Sequence, residues 1–176
     1  TLALDLLAEA DAPDLDAKLA ALLDHDLADV QIEVLRRLES RKVVAALPQI
    51  LPLLAGEKDE RVLGTAVRTL CSLTEDDLVE TVSPYLQDGL SETSIGALVG
   101  LLRYGGISGI LAAGERLTQL ERSESLKERQ IAARVIGDVG IANFYRPLIP
   151  LLQDADYRVR RQALIANWWG LSGDEQ

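Results

Sequence analysis

The sequence contains no methionine, one cysteine, one histidine and one phenylalanine, and aromatic residues fill only 4% of its 176 positions. Each scarcity excludes something. A lone thiol, Cys71, cannot form an internal disulfide, and free cysteines behave as small apolar residues, so it reads as a buried side chain of a chain in a reducing compartment. The lone imidazole, His25, sits among Asp24, Asp26 and Asp29. Carboxylates and an imidazole can hold a divalent cation, but no second ligand set flanks them, and the stretch reads as a solvated acidic turn. No metal and no cofactor are therefore expected. No nucleophile, histidine and acid can be assembled into a triad, which points away from familiar hydrolase chemistry. No apolar run approaches the roughly 18 to 20 residues that cross a bilayer, and no signal peptide is visible. The expectation is a cytoplasmic chain, or one on the cytoplasmic side of a membrane-anchored parent, without membrane insertion. From the absent methionine, the initiator included, the expectation is a fragment or a processed chain.

Positive charge is also short. There are 18 basic against 28 acidic residues, a net charge of −10. Residues 1–88 carry 18 acidic and 8 basic side chains, whereas residues 89–176 carry 10 of each, so the whole imbalance lies in the first half. Non-specific nucleic-acid affinity comes mostly from Lys and Arg neutralising phosphates. Such a field disfavours nucleic acid and anionic lipid as partners of that half, and no nucleic-acid partner is expected.

What the chain does have is leucine, isoleucine, valine and alanine in a recurring pattern. Val30, with Val34, Leu35 and Leu38 at offsets 4, 5 and 8, is followed by Val62, Ala66, Val67 and Leu70, then Ser94, Leu98, Val99 and Leu102. Glu128, Ala132, Ala133 and Ile136 come next, then Val159, Ala163 and Leu164. The anchors are 32, 32, 34 and 31 residues apart. At about 100° per residue those offsets share one helical face. A second set of apolar helices alternates with them: Leu15, Leu19, Leu22 and Leu23; Leu47, Ile50, Leu51, Leu53 and Leu54; Leu78, Val82, Tyr85 and Leu86; Ile110, Leu111, Leu117 and Leu120; and Leu148 to Leu152.

Phe144 to Ala166 shows the unit most clearly: a helix opened by Pro147, a turn at Gln153 to Ala155, and a second helix from Asp156. Within it Asp156, Val159, Arg160 and Ala163 give the spacing D-x-x-V-R-x-x-A, which resembles the signature of HEAT repeats. The resemblance covers nearly the whole chain. Such hairpins bury their apolar side only by stacking on copies of themselves. It implies an all-α, right-handed α-α superhelix of about five hairpins, with units near 14–42, 43–75, 76–105, 106–140 and 141–170 in a single array. One period before Val30, Leu2 to Ala10 reads as the tail of a leading half repeat. The stretch from Ile131 to Ala166 is also similar to HEAT segments of large bacterial proteins that join a nucleotide-translocase-like membrane region to a cyclic-nucleotide-binding domain.

In HEAT-like arrays, as the resemblance implies, second helices line the concave side. Offset 6 points nearly opposite the core offsets, and that row reads Arg36, Arg68, Gly100, Arg134 and Ile165. The next outward row reads Ser40, Ser72, Tyr104 and Asp138. Arg36, Arg68, Tyr104 and Arg134 are the candidate partner-binding residues. Arginine suits carboxylates and phosphates because its planar fork donates two parallel hydrogen bonds. The alternative is that these arginines are solvated, or paired with groove acids such as Glu33 and Asp138. The resemblance implies that Arg160, and Arg129 at the equivalent place, link neighbouring repeats; Gln31, Leu63 and Ile95 leave that ladder incomplete. Trp168 and Trp169 are a core edge or a contact site. The GGxxG of residues 105–109 lacks a preceding strand and a Gly-Lys-Ser/Thr ending, so it is no phosphate loop. Gly105 and Gly106 instead read as a left-handed helix end, and Gly89, Gly96, Gly100, Gly109 and Gly114 as places that permit close helix packing. Interior glycines at about 0.5 to 1 kcal/mol each should make units three and four the softest or most bent.

The resulting expectation is a non-catalytic interaction, scaffolding or regulatory segment. Its partner would be an acidic or phosphorylated protein segment, or other domains of the same polypeptide. Two rivals stand beside it: a HEAT-type enzyme such as the lyases that attach bilins to phycobiliproteins, similar only in its helical hairpins, and an intramolecular spacer in a membrane-transporter-like protein.

Overall fold

A computed structural model describes residues 14–56, 59–74, 78–86, 90–140 and 146–172, with 168–172 described by backbone alone. The stretch Leu2 to Ala10 and the side chains of Trp168 and Trp169 lie outside the described residues. Among the described residues every regular element is helical and none is a strand, so the chain is all-α. The α-helices run in pairs: α1 (Leu15–Ala21) with α2 (Ala28–Arg41), α3 (Leu47–Gly56) with α4 (Glu60–Leu73), and α5 (Val79–Leu86) with α6 (Glu92–Tyr104). α7 (Gly106–Glu121) pairs with α8 (Leu126–Val139), and α9 (Leu148–Leu152) with α10 (Tyr157–Ser172). Within each pair the two helices pack on each other, and α2, α4, α6, α8 and α10 also pack each on the next in chain order. No helix among the described residues is long and apolar enough to cross a membrane.

The repeated apolar face is the reason for that order. Val34, Leu35 and Leu38, with their counterparts Ala66, Val67 and Leu70, Leu98, Val99 and Leu102, and Ala132, Ala133 and Ile136, are all buried. Each second helix therefore has one side that only its neighbours can cover, and burial at about 25 cal/mol per Å² of apolar area drives the stacking. The polar anchor Ser94 is buried as well. Its hydroxyl donates to the Leu86 carbonyl at 3.4 Å, and its N–H donates to the Ser91 hydroxyl at 3.1 Å, which caps α6. A hydrogen-bonded serine thus replaces valine without leaving an orphan polar group.

Several sequence expectations are corrected. Of the apolar first-helix set, Leu51 and Ile149 face solvent. Ile110 and Leu111 are not core residues either: they are 48% and 71% exposed. The buried face of α7 runs Gly109, Ala113, Leu117 and Leu120, because α7 lies with its backbone against α6. A Cβ at Gly109 would stand 2.6 Å from the Leu101 carbonyl oxygen, so glycine holds the inward place and the isoleucine after it turns outward. Leu164 is 60% exposed, since among the described residues α10 has a second helix on one flank only. Of the glycine pair, only Gly106 is left-handed, with φ of 59°; Gly105 has φ of −78°. What Gly105 supplies is room at the crossing: a Cβ there would lie 2.7 Å from the Leu101 oxygen and 2.9 Å from Gly109 Cα.

The closest approach in the stack is between α4 and α6. A Cβ on Gly96 would collide with the Gly64 carbonyl, and one on Gly64 with the Glu92 carbonyl. Four residues on, a Cβ on Gly100 would meet Cys71 Sγ at 2.8 Å and Arg68 Cα at 3.2 Å. Gly100 therefore occupies the arginine row because α4 leans on that spot. The side chain that a repeat would otherwise present there has no room.

Candidate interaction groove

Arg36 of α2, Arg68 of α4 and Arg134 of α8 line a single groove of about 460 Å³. It crosses four successive second helices, and its remaining charged lining is Asp29, Glu33, Arg61, Glu92 and Asp138. A smaller adjoining hollow shares Arg134 and Asp138 and continues to Gln162 and Ile165 on α10. The helical period explains the gathering: offset 6 turns the arginines away from the apolar seam and toward the open side of the second-helix layer. Tyr104, the fourth candidate, is not among the lining residues.

The three arginines differ sharply in what they already hold. Arg68 Nε donates to Glu39 Oε2 at 2.9 Å, and the hydroxyl of Tyr104 donates to the other oxygen, Oε1, at 2.9 Å. Glu39 is buried, so α4 and α6 between them satisfy a carboxylate that α2 has taken out of water. Burial, and then the neighbouring Glu39 charge, push the Tyr104 hydroxyl up to about 12. Lys42 Nζ lies 4.2 Å from the centre of the Tyr104 ring and donates to the Ser72 carbonyl at 3.0 Å. Tyr104 is thus a link between hairpins. It can reach Glu39 past α4 because the glycine contacts hold α4 and α6 so close.

Arg134 grips Glu92 with both terminal nitrogens, at 2.6 and 2.7 Å, and its Nε lies 3.5 Å from Asp138. These donated bonds hold the Glu92 carboxyl below its ordinary value. Asp138 goes the other way: desolvation in the groove raises it, against the pull of Arg134. Arg61 is committed too, to Asp59 at 2.9 Å and to Asp29 of α2 at 3.1 Å. Glu33 is taken by Arg37 at 3.0 Å. Arg36 is exposed, and among the described residues no acceptor reaches it. The groove is therefore a row of inter-helix ion pairs with one uncommitted cation at the α2 end.

Glu39, Arg61 and Glu92 are absent from the sequence-based candidates. A signal for Arg61 exists in the chain. Asp59 and Arg61 recur as Asp156 and Arg158, and in both places the aspartate accepts the backbone N–H of the arginine, at 2.9 and 2.8 Å, and its guanidinium as well. For Glu39 the only sign is negative, a carboxylate directly after the buried Leu38. Glu92 gives none beyond its place next to the cap Ser91.

Elsewhere, Arg129 bridges repeats as the resemblance implies, reaching Asp154 at 2.6 Å while also donating to the Ser123 and Glu124 carbonyls. Arg160 makes only the carbonyl contacts, to Asp154 and Ala155 of its own hairpin, so among the described residues it does not make the expected link between neighbouring hairpins. In the outward row, the Ser40 and Ser72 hydroxyls donate to carbonyls of their own helices. His25 Nδ1 accepts the Leu27 N–H at 3.0 Å. Among the described residues no three of His, Cys, Asp and Glu gather as a metal site. Burial raises the Cys71 thiol to about 12, which leaves it a poor nucleophile at neutral pH. No protein-family model matches the chain, and no curated protein matches it.

Proposed function

We propose that the chain is a HEAT-like, right-handed α-solenoid segment that acts as a non-catalytic interaction module, holding an extended segment of a protein partner in the groove across α2, α4, α6 and α8. The observation that carries this reading is the groove itself, open, polar and continuous over four repeats, with Arg36 uncommitted at one end. Neighbouring helix axes stand about 8 to 10 Å apart, and an extended chain covers about 3.3 Å per residue. Three such steps match a segment of about 7 to 9 residues. Apart from Arg36, the charged groups that line the groove are held in ion pairs among the described residues. The partner fits a cytoplasmic setting, where the one buried thiol stays reduced.

The experiment is affinity capture with the native chain and with Thr65→Trp, which fills the groove floor from α4. A protein retained by the native chain and lost with Thr65→Trp is the expected result. Equal retention by both would move the interaction to another face. Retention by neither would overturn the module reading in favour of a spacer that contacts only its own polypeptide.

A further inference from the structure

The geometry points to a single carboxylate of the partner, seated on Arg36 at the α2 end of the groove. This rests on the interaction-module reading and fixes the chemistry and the register of what binds there. Three arginines share the row, yet two already hold a carboxylate. Arg134 grips Glu92 with both terminal nitrogens. Arg68 gives its Nε to the buried Glu39, so its charge is offset and an incoming carboxylate on its terminal nitrogens would stand beside that one. An oxyanion added at either place meets a neutralised arginine and gains little. Arg61 is held likewise by Asp59 and Asp29. Among the described residues of the groove, Arg36 alone has its whole fork free, so a carboxylate there is a net gain.

The surrounding field decides how many charges the partner carries. The first half of the chain, which contributes α2 and α4, holds the entire net charge of −10. A run of acidic residues would be repelled by that field along its length, while one charge in contact with a guanidinium keeps its attraction. Because α2 is the outermost of the four helices that line the groove, the carboxylate belongs near one end of the bound segment. The middle of the segment then crosses Gly64 and Gly96, where the floor is backbone.

The test is a selection of random peptides of about twelve residues, longer than the groove's reach, on the native chain and on Arg36→Gln. Among the described residues Arg36 has no partner to lose, so the variant is expected to fold as the native chain does, which circular dichroism checks. Peptides from the native chain are expected to share one Asp or Glu close to one end, and selection on Arg36→Gln to lose that position while keeping the rest. A synthetic consensus peptide should lose about tenfold in affinity when its acid becomes the amide, and nothing further on Arg36→Gln. A phosphoserine version of the same peptide that binds tighter than the carboxylate would overturn the carboxylate as the group seated there. A consensus without an acidic position, or an amide penalty equal on both proteins, overturns the anchor and leaves the groove reading standing. No enrichment on the native chain, or enrichment undiminished by Thr65→Trp, overturns the groove reading itself.

Discussion

The contact between α4 and α6 and the contacts on either side of it hold the same kind of helix pair by different means. Between α2 and α4 the helices are tied by Asp29 with Arg61 and by Glu39 with Arg68; between α6 and α8 by Glu92 with Arg134. Between α4 and α6 no ion pair is seen among the described residues, and glycine backbones touch instead. The two solutions fail differently. A backbone contact has no tolerance for added volume and no sensitivity to pH or salt, whereas an ion pair tolerates small changes in shape and depends on both.

Adding one methyl group to the glycine contact is therefore the largest expected effect. Gly96→Ala puts a Cβ into the Gly64 carbonyl, with backbone on both sides and no flexible side chain to give way. Overpacking costs about 1 to 3 kcal/mol, and the upper end applies here even after alanine's helix preference is credited. The control is Gly114→Ala on α7, where nothing lies within 4 Å; it should stabilise by about 0.5 to 1 kcal/mol. Urea midpoints of the two variants read both signs. Equal shifts would show that the α4–α6 contact is looser than drawn.

Next in size is the ion pair nearest the interior. Arg68→Ala strands the Glu39 carboxylate, whose side chain is 9% exposed against 23% for Arg68. Orphaning a charged group at that depth costs about 2 kcal/mol. Adding Glu39→Gln to Arg68→Ala should recover part of it, because the amide needs no counter-charge. If the double variant is no more stable than Arg68→Ala, the loss is one of packing and the pair is not a tie. Tyr104→Phe removes only the hydroxyl bond to Glu39 and is expected to cost about 1 kcal/mol, with the near-ultraviolet circular dichroism of the aromatic residues little changed.

The apolar half of this design was open to sequence reasoning. The 31- to 34-residue period put Val34, Leu35, Leu38 and their counterparts on a buried face because burial and periodicity are the same fact seen twice. Offset 6 found the groove arginines for the same reason. What the pattern could not supply was pairing across repeats, since a period says which face a residue occupies and nothing of which neighbour meets it. Glu39 and Glu92 lie outside the arginine row and were invisible until helices α2 and α6 stood beside their partners. The close packing expected of the middle glycines is met at Gly96, Gly100 and Gly109 but not at Gly114, which nothing approaches within 4 Å. The tightest contact also uses Gly64, whose part only the opposing backbone reveals.

The smallest effect separates the two kinds of contact by pH. Arg134 holds the Glu92 carboxyl below its ordinary value of 4.5, so the folded state binds that proton less readily than the unfolded chain does. The stability this gives is fully present above the ordinary value and is lost as pH falls through it and then through the depressed one. The side chains are 42% and 37% exposed, so solvent screening limits the contribution to about 0.5 kcal/mol. Other carboxylates titrate in the same range, and the comparison is therefore between the native chain and Arg134→Gln. Between pH 6 and pH 3 the native urea midpoint should fall further than the variant's, while amide exchange in α8 should speed up more than at the Gly64 to Gly96 contact. Parallel falls in the two proteins would show that Arg134 and Glu92 meet without stabilising the α6–α8 contact, leaving apolar burial to hold it.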